Sequence, residues 1–302
     1  MPFPQDYQLG AHDFRGFPEG LLRLDYVSPF DGLPDWALLL PGAPRQRCWA
    51  VVIHGHGSKG NQLFLRPDIR QNWLPELQER GFGILSPNLR GNAWMSPAAV
   101  QDLDALLNFL RKQFAAEQFI FTSGSMGGSS NLMYAALRPD NVSAVIARGA
   151  ICDLAAYHAF CRLSPNSPGA EAYDGAELQR TLAIRQDIAD SIEQHYGGKP
   201  EEKPELYRAH SPLFQAEQLL KTPIYLSHGT LDALMPVSQP RKLLAALAEH
   251  QALAYVEIPG GNHDSPLSFG LDRNRSDFPN LNFSALDWVL QKANLNRSLA
   301  DY

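Results

Sequence analysis

A serine lies at a Gly- and Ser-rich junction between an apolar run and a run typical of a helix. Residues 119–121 form the apolar run, Ser125 occupies the junction, and residues 131–137 follow it. This order predicts a buried strand, a sharp turn and a helix, with small residues around Ser125 where a Cβ would clash. A serine in that position can attack an acyl carbonyl, because the start of the helix stabilises the negative charge that develops.

The local pattern around Ser125 is close to G-x-S-x-G, the nucleophile elbow, in which a serine sits on a strand-to-helix turn. Ser123 stands where the pattern has its first glycine, and Gly127 matches the second. A serine is small enough to fit at the first position. Taken alone, the stretch is also compatible with a turn that has no catalytic role.

Two further polar residues follow apolar runs later in the chain. Asp232 follows residues 223–226 and His263 follows residues 255–258. Both are predicted just beyond the carboxyl ends of strands, where open α/β sheets build their sites. There His263 would take the proton of Ser125, and Asp232 would hold the imidazole in the required tautomer. The rate should then rise as His263 loses its proton, near the ordinary histidine pKa.

Two other acids compete with Asp232 for this role. Asp264 directly follows His263, so its side chain would have to bend back to reach the imidazole. Asp153 also follows a predicted strand, but that strand comes earlier in the chain than the one expected to precede the acid. Asp232 is therefore the favoured acid.

The order Ser, Asp, His along the chain resembles that of the α/β-hydrolase superfamily. More narrowly, it is similar to the catalytic domain of the prolyl-oligopeptidase and dienelactone-hydrolase group. The resembling segments are residues 54–57, 87–91, 123–128, 227–232 and 260–263. The resemblance implies a mostly parallel central sheet flanked by helices, with a helical lid insertion. It places the α/β-hydrolase core in residues 1–148 and 211–302 and the lid in residues 149–210.

The resemblance also implies residues for substrate binding. The loop after the strand at residues 49–53 would supply the backbone N–H of His56 to an oxyanion hole, with Gly57 as the next choice. The N–H of Met126 would be the second donor. Gly57 would also contact the substrate.

Aromatic residues of the lid are candidate walls of the substrate pocket. Tyr157 and Phe160 are the two we select, and Tyr173 and Tyr196 are further candidates. The alternative is that most of them pack the lid onto the body of the domain.

The loop after residues 49–53 has two other interpretations. His54 and His56 could bind a metal, but two imidazoles without a third ligand nearby make a poor zinc site. Gly55, Gly57 and Gly60 also match the dinucleotide fingerprint G-x-G-x-x-G, but the next strand does not end in the required acid. We therefore expect neither a metal nor an organic cofactor.

The remaining elements follow from hydrophobic periodicity. Residues 1–20 have no clear period and are interpreted as a surface strap. Ser96 and Pro97 are predicted to cap a helix. Residues 265–280 are expected to form an irregular loop. Further strands are expected at residues 21–27, 36–40, 82–86 and 141–148, and helices at 67–80, 154–160, 176–195, 237–250 and 282–293.

Composition bounds the class of protein. The 302 residues suit one large α/β domain, and three cysteines do not make a disulfide framework. A net charge of −6 without a Lys/Arg cluster argues against nucleic-acid binding. No apolar stretch is long enough to span a membrane and no signal peptide is evident, so a cytoplasmic location is expected. The expected partner is a small-molecule acyl substrate; the sequence does not indicate an oligomeric state.

Three functions fit this pattern. The favoured one is a carboxylesterase or deacetylase. The second is a prolyl-oligopeptidase-like peptidase; such enzymes usually carry a propeller, for which 302 residues leave no room, and no residue pair for anchoring a peptide N-terminus is evident. The third is a catalytically silent binding protein. Its usual sign is a missing triad residue, and here Ser125, Asp232 and His263 are all present.

Overall fold

A nine-stranded sheet forms the centre of the computed structural model, which describes residues 2–12, 16–163, 175–266 and 284–295. The strands are β1 (Gln5–Ala11), β2 (Leu22–Val27), β3 (Pro34–Leu40), β4 (Cys48–Val51), β5 (Gly83–Pro87), β6 (Gln118–Gly124), β7 (Ala144–Arg148), β8 (Ile224–Gly229) and β9 (Leu253–Ile258). Their order in the sheet is β1-β2-β3-β5-β4-β6-β7-β8-β9. Strands β1, β2, β3 and β5 pair antiparallel, and all pairs from β5 through β4 to β9 are parallel.

Helices cover both faces of this sheet. They are α1 (Gln62–Leu65), α2 (Pro67–Glu79), α3 (Pro97–Phe114), α4 (Met126–Leu137), α5 (Leu154–Cys161), α6 (Gly175–Tyr196), α7 (Pro204–Ala209), α8 (Ala216–Leu219), α9 (Ser238–Ala246) and α10 (Ala285–Lys292). Side chains of α3, α4, α6 and α9 belong to one hydrophobic cluster, and those of α1, α2 and α10 belong to a second. The architecture is therefore the predicted α/β sandwich with a mostly parallel sheet.

The central strands are apolar along their length because both of their faces are covered. In β7, Val145 and Ala147 join the first cluster, whereas Ala144 and Ile146 join the second. All four side chains are buried. This burial fixes the register of the central strands, since a shift of one residue would exchange the two faces.

Two predictions near helix and sheet ends need correction. Residues 5–11 form edge strand β1 rather than a strap. This strand pairs antiparallel with β2, from Gln5 opposite Val27 to Ala11 opposite Leu22. All seven residues of β1 are exposed, so no apolar period marks the strand. Ser96 and Pro97 occupy the predicted start of α3, but the Ser96 hydroxyl makes no capping hydrogen bond.

Between β7 and β8 the alternation of strand and helix stops, and the chain forms α5, α6, α7 and α8. Helices α5 and α6 lie where the sequence predicts them. The Arg162 guanidinium joins them through Asp190 at 2.7 Å, and His158 joins them through Glu193 at 2.7 Å. The division into a core and a lid of residues 149–210 stays a prediction. Tyr173 and most of the loop expected at residues 265–280 lie outside the described residues.

Candidate active site

Ser125 occupies the turn between β6 and α4. Its backbone has φ +59° and ψ −130°, a region that residues other than glycine seldom adopt. The turn is held by a hydrogen bond from the Ser125 N–H to the Arg148 carbonyl at 2.8 Å. The Ser129 hydroxyl also donates to the Ser125 carbonyl at 3.0 Å. These contacts hold the serine in its strained conformation at the end of the sheet.

The two glycine positions of the elbow differ in what they tolerate. A Cβ on Gly127 would lie 2.1 Å from the Ile53 carbonyl oxygen, so only glycine fits there without movement. Ser123 occupies the first position, and its hydroxyl accepts a hydrogen bond from the Ile53 N–H at 2.9 Å. The departure from G-x-S-x-G is therefore accommodated by a polar contact with the neighbouring strand end.

The side chains of Ser125, His263 and Asp232 form a continuous chain of hydrogen bonds. His263 Nε2 lies 2.9 Å from Ser125 Oγ, and His263 Nδ1 lies 2.7 Å from Asp232 Oδ2. The other oxygen of Asp232 accepts from the N–H groups of Leu234 at 2.9 Å and Met235 at 2.8 Å. The ionised carboxylate only accepts, so His263 Nδ1 carries a proton and the neutral ring leaves Nε2 free to accept from Ser125.

The charge of Asp232 controls the titration of His263. Burial alone would lower the pKa of His263, but the charge of Asp232 and its hydrogen bond outweigh burial and raise that pKa above 6.5. The Asp232 side chain is fully buried, and the His263 side chain is 15% exposed. The neutral base is therefore reached at a higher pH than the ordinary histidine value that the sequence suggested.

The competing acids have other partners. Asp264 accepts a hydrogen bond from Arg66 Nη2 at 2.9 Å, and Asp153 caps α5 by accepting from the Ala156 N–H at 3.0 Å. The structure thus places Asp232, rather than either competitor, against the imidazole.

Gly149, which the sequence did not single out, leaves room for this pair of side chains. Its φ is +53°, and a Cβ there would lie 3.4 Å from His263 Cε1 and 3.5 Å from Asp232 Oδ2. The signal available in the sequence was a glycine directly after an apolar strand.

The loop after β4 runs alongside the nucleophile. A Cβ built on Gly55 would lie 3.8 Å from Ser125 Cβ. The Gly55 N–H donates to Gln62 Oε1 at 2.8 Å, and the Gly57 N–H donates to Asn92 Oδ1 at 2.8 Å. Between them, the His56 N–H has no hydrogen-bond partner among the described residues. Of the two donors considered from sequence, His56 is therefore the one available to a substrate.

The N–H of Met126 is the second donor expected from sequence. Met126 is the first residue of α4, and its N–H likewise has no partner in the described part of the chain. Such N–H groups at the start of a helix favour a negatively charged oxygen.

A cavity of about 620 Å³ opens at Ser125 and His263. Its apolar walls are Ile53, Ile69, Trp73, Ala183, Ile184, Ile188, Leu234 and Met235. Its charged residues are Arg66, Arg180, Asp187 and Asp264. Under the Trp73 wall, the Arg148 guanidinium stacks 4.3 Å from the ring centroid, and burial lowers the pKa of Arg148 to about 9.

Tyr157 and Phe160 are not among the described residues that line this cavity, whereas Gly57 is. Tyr157 is fully buried against Trp94 and Phe160, with ring centroids 5.4 and 6.2 Å away. The Phe160 ring lies under the Arg185 guanidinium at 4.1 Å. Tyr157 therefore packs the helical segment onto the body through Trp94, whereas Phe160 packs within that segment, against Tyr157 and Arg185.

Helix α6 supplies part of the cavity wall. Ile184, Asp187 and Ile188 line the cavity, and sequence reasoning missed all three. The available signal was their spacing, since residues three and four apart share one face of a helix.

Neither histidine of the loop is arranged for a metal. The His54 ring lies between the carbonyl oxygens of Gly55 and Asn88, at 2.9 Å from each. His56 contacts Trp94 and Asp187. Across residues 2–12, 16–163, 175–266 and 284–295 no group of three or more His, Cys, Asp and Glu side chains could hold a metal ion.

The three cysteines are buried free thiols. Within the described ranges, every helix is too short or too polar to cross a bilayer. The cytoplasmic location stays a prediction.

The family model described as serine aminopeptidase, S33, matches residues 76–266, well over half of the chain. The chain belongs to the S33 family. This S33 protein is thus a serine hydrolase of the α/β-hydrolase type. A comparison with curated protein sequences finds no match.

Solved structures support the same fold. The S33 protein is similar to a puromycin-hydrolyzing peptidase of Mycobacterium tuberculosis, with 19% identity, a TM-score of 0.60, and coverage of 89% of this chain and 39% of that one. Oligopeptidase B from Leishmania major has 14% identity, a TM-score of 0.61, and coverage of 98% and 38%.

A shorter neighbour is the Staphylococcus aureus serine hydrolase FphF, described as fluorophosphonate-binding. It has 12% identity and a TM-score of 0.56, with coverage of 81% of this chain and 91% of that one. The S33 protein spans about two fifths of the length of the two peptidases, as their coverages of 39% and 38% show. At these identities the likeness shows the fold alone.

Proposed function

We propose that the S33 protein hydrolyses acyl bonds with Ser125 as nucleophile, His263 as general base and Asp232 as the acid that orients it. The observation that carries this proposal is the unbroken path of hydrogen bonds from Ser125 Oγ through His263 to Asp232, with lengths of 2.9 and 2.7 Å. Ser125 Oγ attacks the carbonyl carbon while His263 Nε2 takes its proton, and that proton then goes to the leaving group. Water, activated by the same nitrogen, releases the acid from the acyl-enzyme.

The developing oxyanion lies between two backbone donors in this proposal. The N–H groups of His56 and Met126 are the donors, because neither has a partner among the residues described. A preorganised donor of this kind is worth roughly 10²–10³ in kcat. Neither this arrangement nor the triad requires a metal or an organic cofactor.

The proposed substrate is a carboxylic ester with a small or medium apolar acyl group. The largely apolar walls of the 620 Å³ cavity support this choice. The two carboxylates in the wall are already bound: Asp187 to His56 at 2.7 Å and Asp264 to Arg66 at 2.9 Å. An aminopeptidase needs an acceptor for the ammonium group of a peptide; Asp264 is already paired with the Arg66 guanidinium, and one oxygen of Asp187 is occupied by His56.

The second candidate is a peptidase. The family is described as serine aminopeptidase, and two of the structural neighbours are peptidases. These names support amide cleavage over ester cleavage. Both candidates use the same three side chains, so they differ only in the substrate.

Matched substrates separate the two candidates. We would measure kcat/KM for p-nitrophenyl esters of increasing acyl length and for p-nitroanilides of the same acyl groups, in wild type and Ser125→Ala. An esterase cleaves the esters and leaves the anilides intact. An aminopeptidase cleaves aminoacyl anilides and loses that activity when their amino group is acetylated. Ester turnover that persists in Ser125→Ala would contradict the proposal.

A further inference from the structure

The imidazole of His56 is held at both of its nitrogens. Trp94 Nε1–H donates to His56 Nδ1 at 3.3 Å, and His56 Nε2 lies 2.7 Å from Asp187 Oδ2. An indole N–H only donates, so Nδ1 is the acceptor and Nε2 carries the proton that Asp187 accepts. Burial lowers the pKa of His56 more than the contact with Asp187 raises it, which keeps the ring neutral.

The two partners of His56 come from different parts of the chain. Asp187 lies on α6, in the helical segment between β7 and β8, and its side chain is 67% exposed. The His56 side chain is only 7% exposed. One hydrogen bond thus joins the helical segment to the loop that carries the proposed oxyanion donor.

Residues of the helical segment also bind the backbone of Trp94 and Met95, which lie outside it. Trp94 and Met95 have φ values of +48° and +52°, which are unfavourable for residues with a Cβ. The Tyr196 hydroxyl donates to the Trp94 carbonyl at 2.9 Å, and His210 Nδ1 lies 2.9 Å from the Met95 carbonyl. Tyr196 ends α6 and His210 follows α7, so both braces come from the helical segment.

The backbone on either side of His56 is already fixed. Gly55 is bound to Gln62 and Gly57 to Asn92, each at 2.8 Å. The remaining freedom of the loop is the orientation of the His56 residue itself. Holding the ring at both nitrogens therefore fixes the direction of the His56 N–H.

We propose that the helical segment between β7 and β8 positions the loop that carries the His56 N–H, the proposed oxyanion donor. Asp187 is the positioning residue, and it acts through the His56 ring. This inference rests on the proposed function. It predicts that loss of the Asp187 carboxylate lowers kcat and leaves KM nearly unchanged. Loss of this contact would misplace the His56 N–H rather than remove it. The expected fall in kcat is therefore about 10- to 100-fold, less than the loss expected when an oxyanion donor is removed altogether.

The test compares Asp187→Ala with Asp190→Ala. Asp190 is also an exposed acid of α6, but it binds Arg162 rather than the oxyanion loop. Both variants remove one negative charge from the same helix. We expect the kcat loss in Asp187→Ala alone, and Asp187→Asn should keep most of the activity because its amide oxygen still accepts from His56.

A tetrahedral mimic reports on the oxyanion site directly. An arylboronic acid adds to the serine and places an oxygen between the two donors. Its inhibition constant should rise in Asp187→Ala by the same factor as kcat/KM falls, and stay unchanged in Asp190→Ala. If Asp187 had a purely structural role, Asp187→Ala would change thermal stability without changing the boronate inhibition constant.

A second readout does not depend on turnover. In ¹⁵N NMR spectra, His56 of wild type and Asp190→Ala should show a protonated Nε2 and an unprotonated Nδ1. In Asp187→Ala, Trp94 still donates to Nδ1 and the tautomer stays the same, but the Nε2 proton loses its carboxylate acceptor and should exchange faster with water. Unchanged exchange of the Nε2 proton, kcat and boronate affinity in Asp187→Ala would overturn the inference, whatever the substrate.

Failure of the proposed function looks different. In that case wild type and Ser125→Ala would be equally inactive on every substrate of the panel. The NMR comparison would still decide whether Asp187 holds the His56 ring.

Discussion

The substitution Asp232→Asn tests how the acid holds the base. In wild type, Asp232 Oδ1 accepts from two backbone N–H groups and Oδ2 accepts from His263 Nδ1. The asparagine oxygen must stay with the two N–H donors, because an amide NH₂ there would face donors only. The NH₂ group then faces His263 Nδ1 and forces that nitrogen to accept.

The consequence is the wrong tautomer of His263. With Nδ1 as acceptor, the ring proton moves to Nε2, which lies 2.9 Å from Ser125 Oγ. Nε2 then cannot accept the serine proton. A change of this kind in a Ser-His-Asp triad on an unrelated fold lowers kcat about 10⁴-fold. At 1.36 kcal/mol per tenfold, this corresponds to about 5.4 kcal/mol of transition-state stabilisation.

The assay is steady-state hydrolysis of the best substrate of the panel, with Asp264→Asn as the matched control. Asp264 follows His263 directly but binds Arg66, so its amide variant should keep kcat within about threefold, a change below 1 kcal/mol. Near-normal kcat in Asp232→Asn would refute the reasoning. A larger loss in Asp264→Asn than in Asp232→Asn would exchange the two acids.

Three further predictions concern the nucleophile, the base and the turn. Ser125→Ala should lower kcat by at least ~10⁴-fold with an unchanged fold, as measured by steady-state kinetics and circular dichroism. Because the pKa of His263 is raised, kcat/KM should rise with pH through an apparent pKa above 6.5; a limb at or below that value would contradict it. Gly127→Ala should lower the unfolding free energy by about 1–3 kcal/mol in urea titrations, since its Cβ would meet the Ile53 carbonyl at 2.1 Å. Gly10→Ala, with open space around it, is the control and should unfold as wild type does.

Sequence reasoning located the parts of the fold whose signals are local. Apolar runs marked β4, β6, β7 and β8, because strands covered on both faces contain few polar residues. The edge strand β1 escaped detection, since all of its residues are exposed and pairing with β2 leaves no period in the sequence.

The same limit applies to the site. Ser125, Asp232 and His263 each follow a strand, and parallel strands bring their carboxyl ends together, so their proximity could be predicted. Asp187 could not, since its distance from His56 depends on how α6 packs on the body. The same limit holds for the aromatic residues, because a ring suited to a pocket wall is equally suited to a buried contact.

Labelling of the S33 protein with a fluorophosphonate probe tests the central claim most directly, because the probe reacts with an activated serine. We would measure the extent of labelling and map the modified residue by mass spectrometry in wild type, Ser125→Ala and His263→Ala. The account predicts one label per chain on Ser125, none in Ser125→Ala and much slower labelling in His263→Ala. A folded wild-type protein that takes up no label, or takes it up equally in Ser125→Ala, would contradict the account; the former result would favour a hydrolase fold that only binds.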